Sequence, residues 1–272
     1  MVVMRRFYPR VLLAVSLCAT GVAAAQTKTY ALVAAIGNRF EVMNSKQQTG
    51  SHIPAWDRAA YQIGGNVLNR LALQGLDKAV AGYEPESKRV YLSMAPARPD
   101  IELVVGELRK LDRVGWDRIM VALPASRFHD EPGLAGRMKG FGLLAQGQCQ
   151  SDTSFGNSRA GSCNHGFRPQ FGPTALTPKG EEIAANTFVA PFAFVEIFTL
   201  DPRSLAVLDR SANYGHRKLT DETAKLNGII NGDNKEFLAA QIVEVVQTST
   251  AEAMANGILR GNVDVREKGP VK

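Results

Sequence analysis

Cysteine, histidine and tryptophan are scarce in this 272-residue chain, with three, four and two copies. So few cysteines exclude a disulfide-dense miniprotein. Apolar residues at 45% and charged residues at 21% exclude a disordered or collagen-like chain. Past residue 25 no apolar run approaches the roughly 20 residues that cross a bilayer. No run of lysine and arginine marks a nucleic-acid track, so nucleic acid is not an expected partner. The sequence also lacks a Gly-x-Ser-x-Gly elbow, a P-loop, a His-Glu-x-x-His zinc motif and internal repeats.

What is present begins with an export signal. Arg5, Arg6 and Arg10 precede the apolar stretch Val11–Ala19, and Ala23-Ala24-Ala25 offers a small-residue cleavage site before Gln26. Ser16, Thr20 and Gly21 interrupt a stretch already too short for an anchor. Val15-Ser16-Leu17 before Cys18 lacks the small residue of a lipoprotein box. Residues 1–25 are therefore read as a cleaved leader and the product as periplasmic or secreted. Without the leader's three arginines the formal charge falls from +6 to +3, which is weak for its length.

Two cysteines then remain, Cys149 and Cys163, in a stretch rich in Gly, Ser and Asn. An oxidising compartment favours a disulfide between them. Closing a loop of about 15 residues is worth about 3 kcal/mol in the chain-entropy account. Zinc is the rival reading, with His165 as a third ligand, but the spacing is not C-x2-4-C and a fourth ligand is missing.

Periodicity supplies the elements. Tyr30–Ile36 reads as a buried strand closed by Gly37-Asn38, with Arg39–Met43 extended and Asn44–Ser51 a loop or hairpin tip. Ile63, Val67, Leu71 and Leu76 give a helical stripe over Tyr61–Ala81, with Asn66, Asn69, Arg70, Gln74 and Asp77 on its polar side. Arg89–Met94 is a strand. Asp100 caps a helix carrying Ile101, Val104, Val105, Leu108 and Leu111, and Arg118–Leu123 is a third strand. Residues 124–187 have little sustained period and read as an insert, in which Arg137–Leu144 adds an irregular strand. Phe188–Leu200 is apolar on both faces and turns through Asp201-Pro202-Arg203-Ser204 into an antiparallel return over Leu205–Leu208. Thr220–Ile230 is a short helix. Asp233 and Glu236 open a long one to about Leu259, with Leu238, Ile242, Val245, Ser249 and Ala253 as its core stripe.

Candidate chemistry is sparse. Gly140-Phe-Gly142-Leu-Leu-Ala145 fits a loose dinucleotide fingerprint. It neither follows a good buried strand nor opens a convincing helix, so a tight backbone approach is the preferred reading. His52, His129, His165 and His216 are scattered. The best constellation is His129-Asp130-Glu131 with Ser126 and Arg127, just past the third strand, where open α/β sheets bind ligands. A solvated polar loop is the competing reading. Trp56, Asp57 and Arg58 form another polar loop near the first long helix, in which Trp56 plugs the edge of the core. Arg168, Arg217 and Lys218 could meet an anionic cell-wall partner, unless simply solvated.

The full order of strand, helix, strand, helix, strand, hairpin and long helix resembles a group of exported bacterial domains. These are the periplasmic domain of the curli-secretion lipoprotein, the outer-membrane lipoprotein activators of peptidoglycan synthases, and the amino-terminal domain of TolB. Their hairpin reads Asp-x-x-Thr-Gly-x-Val-Leu; here it runs from Thr199 through Asp201, Pro202, Arg203, Ser204, Val207 and Leu208 to Asp209. Pro202-Arg203-Ser204 replaces the Thr-Gly turn, and the lipid-attachment cysteine is missing. The resemblance implies an α/β fold and binding of partners in the cell envelope without catalysis.

The expectation is thus an α/β protein. A βαβαβ core is followed by an antiparallel hairpin and a long C-terminal helix, with a loop-rich insert holding a Cys149–Cys163 disulfide. Residues 1–25 are the leader, 26–260 one domain and 261–272 a charged tail. Neither cofactor nor metal is expected, and the partner is an envelope protein or glycan. The alternative is a hydrolase whose catalytic residues, His129 and Asp130, lie at the carboxyl end of the strand closing near Leu123.

Overall fold

The computed structural model describes residues 27–46, 55–96, 98–127, 138–146, 174–185, 188–220 and 235–261. In chain order the elements are β1 (Thr29–Ala34), β2 (Arg39–Lys46), β3 (Ala55–Gln62), α1 (Val67–Tyr83), β4 (Lys88–Ser93), α2 (Ile101–Leu108), β5 (Arg118–Pro124), β6 (Ser126–Arg127), β7 (Met138–Lys139), β8 (Phe141–Gln146), β9 (Thr174–Leu176), β10 (Glu182–Ala184), β11 (Phe188–Leu200), β12 (Val207–His216) and α3 (Lys235–Gly261). The expected alternation survives, with the β2–β3 hairpin added ahead of α1.

Eight strands make one mixed sheet arranged in five rows. The second row is β11, whose 13 residues are apolar on both faces and almost entirely buried. On one side β11 pairs along its length with β12. On the other, its first half pairs with β8 and its second half with β5. Strands β5 and β8 therefore lie end to end in a single third row. β1 and β2 do the same in the fourth, since β1 is parallel to β5 and β2 is parallel to β8. The joint is Gly37, at φ +83°, a left-handed turn that costs glycine little. The fifth row is split between β4, parallel to β1, and β3, antiparallel to β2.

Alternation along the rows sends apolar side chains to both faces. On the first face Leu32, Ala122, Phe141 and Ile197 pack with Leu68, Leu76, Val245 and Met254 of α1 and α3. The two helices cross closely at Gly75, where a Cβ would come within 2.5 Å of the Gln247 carbonyl. On the second face α2 places Val104 and Leu108 over Val33, Val121, Phe198 and Leu200. Asp100 caps α2 as expected, its carboxylate accepting from the Glu102 amide at 2.9 Å.

Several expectations need correction. The first helix begins at Val67 rather than Tyr61, because Tyr61 and Gln62 complete β3 and Gly65 and Asn66 turn the chain with positive φ. Ile63 mimicked a helical position because it packs on the same core from before the turn. Trp56, Asp57 and Arg58 belong to β3 and not to a polar loop. Residues 124–187 are not loop-rich throughout: they supply β6 to β10, and β8 is an interior strand. Cys149 and Cys163 lie outside the described residues, as does the short helix expected after Thr220.

Candidate functional site

The two ends of the sheet are built differently. At one end the chain turns tightly. Asp117 closes the start of β1, accepting from the Thr29 amide at 2.7 Å and donating its own N–H to the Thr29 carbonyl at 2.9 Å. Between β11 and β12, the Asp201 carboxylate accepts from the amides of Arg203 and Ser204 and from the Ser204 hydroxyl, at 3.0, 2.7 and 2.8 Å. Those donors hold the Asp201 carboxyl below its usual range. Arg113 ties α2 to that turn, donating to the Pro202 and Leu108 carbonyls at 2.8 and 2.5 Å.

At the opposite end the strands stop at Lys46, Gln146 and the continuation of β12 at Thr220; strands resume at Ala55, Thr174 and Phe188, and helix α3 begins at Lys235. Every long connection outside the described residues, apart from 128–137, joins this end. Hairpin β9–β10 marks its border: Leu176 bonds to the β12 continuation through Lys218 and Thr220, at 2.9 and 3.0 Å.

Register defines the second face above α2. One level reads Ala60, Glu41, Gly142, Phe192, His216 across the rows; the next reads Arg58, Met43, Leu144, Ala190, with Lys218 in the continuing register. The middle is apolar and buried: Met43, Leu144, Phe188, Ala190, Phe192 and Phe194, joined by Ala125 and Met138. None of the three described helices lies on it. Polar residues form its margins, Arg39, Glu41 and Arg58 along one side and Tyr214, His216, Lys218 and Thr220 along the other. Glu41 Oε1 accepts from Arg39 at 2.8 Å, while the buried Oε2 has no hydrogen-bond partner among the described residues. Lys218, only 8% exposed, sets its ammonium 4.5 Å from the Phe188 ring centroid and 3.3 Å from the Ala185 carbonyl. Lower on this face Arg210 pairs with Glu196, which strengthens its hold on its proton, and covers Phe198.

Placed on this frame, the sequence candidates separate. The carboxyl end of β5 is not an open crevice. The Ala125 amide bonds Phe194, Phe194 in turn bonds Gly140, and the row resumes as β8. Between them β6 and β7 leave the sheet as an antiparallel pair, leading to 128–137. His129 and Asp130 lie there, outside the described residues, and so do His52, His165 and Arg168. Asp57 and His216 sit on opposite outer rows, four strand spacings or about 19 Å apart, too far to share one ion or proton. Arg217 pairs with Glu244 at 2.7 Å and Gln241 at 2.8 Å, so it and Lys218 are both engaged within the fold. Gly140–Ala145 runs through the β7–β8 bend and β8, and Gly142 serves close approach: a Cβ there would meet the Glu41 carbonyl at 2.3 Å and the Phe192 ring at 2.4 Å. Among the described residues no three His, Cys, Asp or Glu side chains are grouped to hold a metal, and no helix is long and apolar enough to cross a membrane.

Sequence reasoning singled out Arg58, His216 and Lys218 but missed Glu41 between the rows, since a carboxylate in an alternating strand gives no sign of which row covers it. No family model and no curated protein matches the chain. Among solved structures it is similar to a homolog of the neuraminyllactose-binding hemagglutinin from Helicobacter pylori, at 6% identity and TM-score 0.34, covering 85% of this chain and 81% of that one. A DUF330-family protein from Xanthomonas campestris aligns at 11% identity and TM-score 0.29, covering 88% and 86%.

Proposed function

We propose that the chain is an exported, non-catalytic binding domain of the cell envelope, periplasmic or secreted, taking an envelope protein or glycan as its partner. One observation carries the reading: a five-row sheet closes one end with short hydrogen-bonded turns and sends every long connection but 128–137 from the other. Binding residues are commonly carried on loops held by such a scaffold. In this reading residues 1–25 are removed, 26–260 form one domain and 261–272 a charged tail. A Cys149–Cys163 disulfide pins the segment leaving β8. The order of elements read from the sequence, which resembles that of the envelope domains named above, supports the same assignment.

The test has two arms. Cell fractionation with amino-terminal sequencing is expected to recover a chain starting at Gln26 outside the cytoplasm, and intact mass before and after reduction with thiol labelling to reveal one disulfide. Purified mature protein is then expected to cosediment with isolated peptidoglycan or outer-membrane fractions. A cytoplasmic protein retaining its leader, or one that binds none of these fractions, contradicts the proposal.

A further inference from the structure

Strand β3 leaves one edge of the sheet open. Among the described residues it pairs only with β2. The Ile63 amide donates to the Asn38 carbonyl at 2.8 Å, so odd-numbered residues of β3 direct their backbone groups towards β2. By the two-residue alternation of a strand, Ala60 and Gln62 direct theirs outward. Arg58 to Gln62 are exposed on both faces of the sheet, and Tyr61 is 55% exposed, so neither α1 nor α3 reaches past this row.

The other edges differ. Among the described residues β12 also pairs on one side only, but α3 packs on it through Ser249 and Ala253 and β9 covers its continuation through Leu176. β4 is a six-residue strand opening on Lys88 and Arg89. β3 has eight residues in unbroken register, with no lysine, proline or bulge, and two alanines at its centre. It carries one acid and one base, so two copies do not repel as a whole.

We propose that this edge pairs with the same edge of a second copy, antiparallel about a two-fold axis, joining two five-row sheets into one. The edge is self-complementary, which a closed two-fold interface requires. The pleat lets only residues of the same face stand opposite each other. Registers with Ala59, Ala60 or Tyr61 on the axis meet that condition and engage the outward groups of Ala60 and Gln62. Each also covers the exposed Tyr61 ring. A register with Arg58 on the axis would oppose two guanidinium groups and is disfavoured. Strand pairing alone buries less than the roughly 1,000 Å² of a stable interface, so the dimer is weak and dependent on concentration.

Sedimentation equilibrium of the chain from Gln26 onward is expected to show a mass rising from monomer towards dimer with concentration. In hydrogen exchange the amides of Ala60 and Gln62 gain protection over the same range, while those of Ala59 and Tyr61 are protected throughout. Ala60→Pro removes an outward N–H without touching the β2 ladder and is expected to weaken association at least about tenfold. Ala60→Lys, which keeps the backbone donor, is expected to weaken it more at low salt than at high salt. A chain monomeric at every concentration, as a strand supplied by a foreign partner would leave it, overturns the proposal. So does an association that neither substitution alters, or one that leaves Ala60 and Gln62 unprotected.

Discussion

At the scale of single residues, the joint between β1 and β2 depends on one amide side chain. Asn69 of α1 is 1% exposed and accepts from the Ile36 amide at 2.9 Å. It donates to Ser93 Oγ at 3.0 Å and to the Met94 carbonyl at 2.9 Å, where the β1–β4 ladder ends. The helical period placed Asn69 on the polar side of α1, and that was wrong: the helix lies across strand ends whose leftover backbone groups need a partner. Asn69→Ala is therefore expected to cost about 2–4 kcal/mol in urea unfolding, because buried backbone groups lose their bonds. The Asp201 turn gives a prediction in pH. Its carboxyl is held below the ordinary value, so its stabilisation is complete above the unfolded pKa and lost as pH falls through the folded one. The stability gap between wild type and Asp201→Asn is expected to be constant above about pH 5 and to shrink as pH falls below about 4. A gap that widens towards acid would refute that assignment.

At the scale of elements, α3 shows what periodicity can and cannot reveal. Val245, Ser249 and Ala253 were readable as its core stripe, and all three are buried. What the stripe concealed is that α3 lies on β12 through small polar residues. Ser249 Oγ donates to the Ala193 carbonyl at 2.6 Å and accepts from the Gly215 amide at 3.3 Å. Ser211 Oγ donates to the Ala253 carbonyl at 2.6 Å. Gly215 and Gly257 leave the room: a Cβ at either would sit 2.7 or 2.9 Å from an atom across the contact. Such complementarity depends on two distant segments together, so neither reveals it alone. A chain ending at Asn234 uncovers half of the first face. It is expected to lose cooperative thermal unfolding and to bind a hydrophobic dye, whereas retention of a sharp transition would show α3 to be an accessory. The β11–β12 hairpin was the most legible element, through its Pro-containing turn, although β12 runs on to His216. Arg39–Met43, legible as extended, is part of β2, and β8 falls within the irregular strand legible over Arg137–Leu144 and interrupted by Gly140 and Gly142, whereas β3 was obscured by the adjacent charges of Asp57 and Arg58.

For the whole molecule, the alternation of strands and helices foretold an α/β sheet but not its five rows. Row order rests on pairings between distant residues, such as Phe40 with Phe141 and Ile119 with Leu200, which leave no local trace. The same composite rows explain why the end of β5 holds no crevice. The most direct measurement compares envelope binding by two variants of the mature protein. One replaces residues 150–162, in the connection that leaves the open end at Gln146, with a Gly-Ser segment of equal length. The other replaces Pro202-Arg203-Ser204 at the closed end. The scaffold account predicts that the first loses at least about tenfold in affinity, roughly 1.4 kcal/mol, while the second binds as wild type. Undiminished binding by the first, or a selective loss in the second, would contradict it.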